Sequence, residues 1–208
     1  MVFEENLIQN INVEVPINRI FARMGYNRKL TTLPKEKEGE ILRVIDEAVL
    51  YCDNKGLYKI FDFEFWDKGI VVEGEKIESL NIKKLLENSH KVVFMATTIG
   101  KDLVAERDRL FKEGDSFRGV IFDAVGSEMV EEVINVLQKM INDRLKIKGE
   151  KTTRRFSPGY GDLKLETQRI FFKLVDMSKL GVILSDSLIM YPEKSITAIA
   201  GIYMIKEE

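Results

Sequence analysis

The segment Arg154-Arg155-Phe156-Ser157-Pro158-Gly159-Tyr160-Gly161-Asp162 holds the residue types best suited to chemistry on a small ligand. Two guanidinium forks match the geometry of a carboxylate or phosphate. Pro158 fixes one backbone angle, and Gly159 and Gly161 let the chain turn sharply and approach a ligand closely. Tyr160 adds a flat face and one hydroxyl. The same residues also describe a tight turn between strand and helix with its arginines in solvent, and composition alone favours that plainer reading. The Gly-x-Gly here is no dinucleotide fingerprint, because the third glycine of GxGxxG falls on Lys164, and no GxxxxGK[ST] occurs.

A second set of candidates is acidic. Asp123, Glu128, Glu131 and Glu132 recur along one predicted helix. They read either as a solvated face or as the source of one carboxylate that receives a ligand ammonium group. Glu128 and Glu131, three residues apart, could share a face. The single cysteine, Cys52, fits the apolar stripe of an earlier helix and reads as a packed thiol. The single histidine, His90, reads as a surface or capping residue. With one of each, internal disulfides are excluded, and His-based triads and HExxH zinc sites nearly so. No DxHxxG pattern is present to ligate cobalamin from below.

These residues need a scaffold. The chain has 208 residues, enough to bury a core without a staple. Its hydrophobic fraction of 45% and charged fraction of 32% fit a folded globular protein, and a net charge of −2 argues against a general nucleic-acid binder. No apolar run approaches the roughly 18 residues of a membrane span. The acidic, polar start is no signal peptide, so a cytoplasmic location is expected. No repeat or linker appears, and residues 1–208 read as one unit.

Residues 1–35 read as an arm with a short helix over 18–24, stopped by Gly25. An amphipathic helix is predicted over 36–54, closed by Gly56. From Leu57 the pattern has period two, and Asp67-Lys68-Gly69 reads as a hairpin turn leading to a return strand over 70–73. The aromatic stretch 61–66 reads as core or as a docking surface, with core favoured. Ser79 is a candidate N-cap for a helix over 79–88. A buried strand follows over 91–97, and helices over 98–113 and 116–146. Ala124, Gly126 and Ser127 give the longest helix a small-residue patch for close approach of a backbone or a ligand. Residues 150–163 read as a loop or irregular strand, followed by a helix over 165–175 and strands over 182–184, 188–191 and 196–205. That order predicts an α+β fold, a single domain with a twisted, mainly antiparallel sheet flanked by helices.

The RxxxGY pattern at Arg155, Gly159 and Tyr160 resembles the S-adenosylmethionine-binding signature of the activation domain of cobalamin-dependent methionine synthase. The tail DSLIMYPEKSITAIAG from Asp186 looks like that domain's late segment, and the helix over 122–141 is similar in position to its long helix. The resemblance covers about residues 92–201. It implies a reactivation domain of the methionine-biosynthetic methyltransferase system, inactive alone. Such a domain binds S-adenosylmethionine and presents its methyl group to cobalamin on another module for reductive methylation. By that resemblance Arg155 grips the methionyl carboxylate, backbone groups around Phe156 and Ser157 meet the adenine, Gly159 leaves room and Tyr160 walls the site. Glu128 or Glu131 meets the ammonium, with Glu128 slightly preferred. Where fused relatives continue with a Pro-Ala-Cys-Pro-like stretch, this chain has Gly161-Asp162-Leu163. The implied partners are a cobalamin-binding synthase chain that lacks this domain and a flavodoxin-like electron donor, with no nucleic acid or membrane. The alternative is a module that docks on a corrinoid protein without binding the ligand.

Overall fold

A computed structural model describes residues 4–26 and 33–205. Its centre is a five-stranded sheet in the order β1-β2-β6-β10-β7, with β1 at Asn6–Ile8, β2 at Lys55–Phe61, β6 at Lys91–Thr98, β7 at Glu150–Thr152 and β10 at Ser195–Met204. Every pairing in it is antiparallel. The long run of β6 is buried on both faces. Val93 and Met95 point into one core, and Val92, Phe94 and Ala96 into the other. That explains an apolar stretch with no polar alternation.

One face is covered by helices α1 (Ile17–Arg23), α2 (Lys35–Val49), α4 (Asp102–Lys112) and α5 (Ser116–Lys146). Here Phe21, Ile41, Ile45, Phe122, Val133 and Leu137 are fully buried. The other face carries a small sheet of β3 (Glu64–Trp66), β4 (Gly69–Val72) and β5 (Glu75–Glu78), together with α3 (Leu80–Leu85) and α6 (Thr167–Leu174). Phe94, Phe171 and Ile82 fill that second core. A two-stranded ribbon joins β8 (Ile183–Leu184) to β9 (Met190–Tyr191). The α+β class, the antiparallel sheet and the flanking helices are as the sequence predicts.

Several boundaries differ for physical reasons. The helix expected over 36–54 ends at Val49, and Gly56 does not stop it. Gly56 lies inside β2, where a Cβ would sit 2.7 Å from Ile11 Cδ1 and 3.1 Å from Leu137. The helix expected from Thr98 begins at Asp102, because Thr98 still pairs with Lys55 and Ser195. The expected arm contributes β1 as well as α1; its residues 27–32 lie outside the described residues. Strand β5, with Ile77 as its one buried residue, was hidden by its polar neighbours. The aromatic stretch divides: Phe61 is core, packed against the Phe94 ring at 5.2 Å, while Phe65 is 47% exposed.

Helix α5 matches its predicted limits. Asp115 caps it, accepting the Arg118 N–H, and fourteen of its residues are buried. It runs across the first face and carries the polar residues that meet the segment after β7.

Candidate functional site

Residues 152–157 cross from β7 toward α6 while staying tied to the sheet edge. Phe156 N–H donates to the Ile199 carbonyl, and Ile199 N–H donates back to Phe156, both at 2.8 Å. Thr153 N–H donates to the Gly201 carbonyl. The segment then turns. Gly159 takes a φ of +91° and its N–H donates to the Leu163 carbonyl at 2.8 Å. Gly161 takes φ +54°, and a Cβ there would lie 2.7 Å from Asn81 Nδ2, so this turn requires glycine twice over.

Asp162 anchors the turn. Its carboxylate accepts from the Ser79 hydroxyl and from the N–H groups of Leu80 and Asn81 at 2.7 and 3.2 Å. Ser79 in turn caps α3 by accepting the Ile82 N–H. Burial works to raise the Asp162 carboxyl, but the Ser79 hydrogen bond and the two backbone donors outweigh it and hold the group below its ordinary value.

Opposite this segment, α5 presents Glu131, Asn135, Gln138 and Asn142, a polar stripe at helical spacing. Arg155 reaches across to it. Its Nη1 donates to Gln138 Oε1 and its Nη2 to Asn135 Oδ1, each at 2.8 Å. Glu131 is 3.9 Å away, a loose ion pair. Burial pulls the Arg155 guanidinium below its ordinary value, while Glu131 and Glu132 oppose that pull. Asn142 fixes the strand side, accepting from the Thr152 N–H and hydroxyl at 2.7 and 3.0 Å.

Between helix and segment lies an open groove of about 370 Å³, lined by Glu131, Arg154, Arg155, Phe156, Ser157, Tyr160 and Ile196. The volume falls in the range of small-molecule sites, about 300–1,000 Å³. Arg154 is exposed and has no ion-pair partner among the described residues. Tyr160 is 69% exposed.

The structure therefore brings Arg155, Phe156, Ser157, Tyr160 and Glu131 together, with Gly159 shaping the turn beside them. It does not bring Glu128 with them. Glu128 is buried under α1, where Arg23 Nε lies 2.6 Å from one carboxylate oxygen and Arg19 Nε 3.5 Å from the other. Of the two candidates, Glu131 lines the groove and Glu128 does not. The Phe156 N–H is spent on Ile199, and its carbonyl already accepts one hydrogen bond there, which leaves that oxygen one lone pair for a ligand. Ser157 remains: its N–H and hydroxyl make no hydrogen bond among the described residues. Asn135 and Gln138 were missed by sequence reasoning. Their signal was polar side chains recurring at 131, 135, 138 and 142, the spacing of one helix face.

The small-residue patch on α5 has a protein occupant. The Lys194 side chain lies across Gly126, with its Nζ 2.8 Å from Asp123 Oδ1 and 3.0 Å from Ser127 Oγ. Cys52 is half-buried against the first core, and burial pushes its thiol up to about 12, which removes it as a nucleophile. His90 is on the surface, 3.0 Å from Glu150. It borders a larger cavity of about 980 Å³ lined by Ser89, Thr153, Tyr203 and Met204. No arginine lines that larger cavity, whereas Arg154 and Arg155 both line the smaller groove.

No protein-family model matches the chain, and no curated protein matches it. Among solved structures, it is similar to the crystal structure of the MetH reactivation domain bound to AdoHcy, with a TM-score of 0.72 at 12% identity. The likeness covers 100% of this chain and 81% of that one. The chain has the fold of that reactivation domain. At this identity the likeness establishes the architecture, including the first ninety residues, where the sequence resemblance was weak.

Proposed function

We propose that this chain binds S-adenosylmethionine in the Arg155 groove and presents its methyl group to cobalamin held by a partner protein, acting as one reactivation unit. The observation that carries the reading is the half-buried Arg155 guanidinium, lining a groove of this fold with the Glu131 carboxylate 3.9 Å away. A methionyl group carries a carboxylate and an ammonium on one carbon, and Arg155 and Glu131 offer the opposite charges in the same arrangement. Arg155 spends one N–H each on Asn135 and Gln138, which leaves three of its five donors for a ligand. Phe156 and Tyr160 supply aromatic surface for an adenine ring, and Ser157 a donor. That the related domain was crystallised with AdoHcy supports the same ligand class here.

No side chain need move a proton. The chain's contribution is positioning, which turns a bimolecular encounter into an oriented one. Arg155 and Glu131 would hold the sulfonium in place, and a partner's cobalamin, given one electron by a flavodoxin-like donor, would supply the acceptor for the methyl group, with S-adenosylhomocysteine left in the groove.

Calorimetric titration with S-adenosylmethionine, with S-adenosylhomocysteine and Arg155→Ala as controls, tests the proposal. Saturable binding that Arg155→Ala weakens by at least about tenfold is expected. No binding at millimolar ligand overturns it, and the chain then reads as a module that docks on a corrinoid protein without the ligand.

A further inference from the structure

Arg155 is held in an unusual way for a half-buried arginine. Its two closest partners are neutral amide oxygens, and the nearest carboxylate is 3.9 Å away. Each amide is itself locked. Gln138 Nε2 donates to the Thr153 carbonyl and to Thr152 Oγ1, both at 2.8 Å. A carbonyl can only accept, so the Gln138 amide has one allowed orientation, and Oε1 must face Arg155. Asn135 Nδ2 donates to Glu132 at 3.2 Å, which turns its Oδ1 toward Arg155 in the same way. Glu132 meanwhile is drawn to Arg19 on α1. Glu132, the other carboxylate that acts on Arg155, is thus engaged elsewhere, with the Asn135 amide standing between the two.

We propose that Asn135 and Gln138 are positioning residues for an anion site at Arg155: a neutral cradle that fixes the guanidinium and leaves its charge for the carboxylate of the ligand. This rests on the proposed binding of S-adenosylmethionine and adds to it the residues that set recognition of the amino-acid end. A carboxylate at either position would also fix the fork, but it would satisfy the charge within the protein. An apolar residue would leave the fork free to leave the groove.

The test compares two ligands on the full chain by calorimetry. S-adenosylmethionine carries the carboxylate, whereas 5′-methylthioadenosine keeps the nucleoside and sulfur but lacks the amino-acid end. Asn135→Asp keeps size and acceptor and adds the charge. It is expected to weaken S-adenosylmethionine about tenfold or more while leaving methylthioadenosine within about twofold. Gln138→Leu removes the other arm, and the same split is expected, with a melting curve confirming the fold. An equal loss for both ligands would mean that the amides only hold the structure, and no loss for either would make them bystanders. Both outcomes overturn the inference while S-adenosylmethionine binding by the wild-type chain stands. Wild-type protein that binds methylthioadenosine alone removes the anion site, and wild-type protein that binds neither removes the functional reading as well.

Discussion

Glu128 and Glu131 sit less than one helical turn apart, yet their surroundings assign them opposite tasks. Glu128 is buried and bonded by two arginines of α1, so Glu128→Gln strips charge from a pinned contact. Because both arginines are nearly half exposed, we expect a modest loss of about 1–2 kcal/mol, read as a lower urea midpoint. Ligand affinity should change little. Glu131 is half exposed and loosely paired, so Glu131→Gln should leave stability within about 0.5 kcal/mol. It should weaken S-adenosylmethionine in the calorimeter. The opposite pattern would return the ammonium site to Glu128. Asp162 gives a pH dependence with a definite sign. Its folded carboxyl lies below the unfolded value of about 3.9. The charged form is therefore favoured by folding, and this contribution is fully present above that value. It disappears as pH falls through the depressed folded value. Asp162→Asn should flatten the acid limb of a stability-versus-pH curve. An unchanged limb would show that the loop anchor does not depend on the charge.

At the scale of elements, what was legible in the sequence is what local chemistry decides. Ser79 as a cap, Gly25 after a helix, the turn at Asp67-Lys68-Gly69 and the limits of α5 all follow from side-chain and backbone preferences within a few residues. The RxxxGY segment could be found because its residue types are unusual together. What stayed hidden depends on contacts between distant segments. Gly56 looks like a helix stop until Ile11 and Leu137 are packed against it. Glu128 looks available until α1 folds onto it. Asn135 and Gln138 gain meaning only when β7 brings Arg155 opposite. The patch at Gly126 is the same kind of case, and it can be tested. An added Cβ there would lie 2.7 Å from Leu103 Cδ2 and 3.2 Å from the Lys194 stem. Leu103 is fully buried and cannot swing clear. Gly126→Val should therefore overpack the α4–α5 contact and cost about 1–3 kcal/mol, with Gly126→Ala costing less. Ligand affinity should be unaffected if Lys194 is the only group the patch admits. A drop in affinity without loss of stability would put a ligand there instead.

At the scale of the molecule, two cavities compete for the role of binding site, and size and chemistry disagree. The cavity beside His90 is about 980 Å³ and the Arg155 groove about 370 Å³. Volume alone carries no recognition, whereas the smaller groove offers a fixed guanidinium, a facing carboxylate and aromatic surface. A ligand that binds only the folded state stabilises it by about 2.7 kcal/mol at one hundred times its dissociation constant. For a chain of this length that is a rise in Tm of about 5–10 °C. Such a shift shows binding but not place. Hydrogen exchange supplies the place, because the groove draws on two separate segments that only the tertiary fold unites. S-adenosylmethionine should slow exchange together in residues 131–138 of α5 and in residues 152–160. It should leave β3, β4 and β5 on the opposite face of the sheet unchanged. Joint protection of those two segments is what a ligand bridging Glu131 and Arg155 must produce, since neither segment alone holds both charges. Protection at 85–90 and 203–205 instead would move the ligand to the larger cavity and sink the assignment to Arg155, whatever the size of the thermal shift.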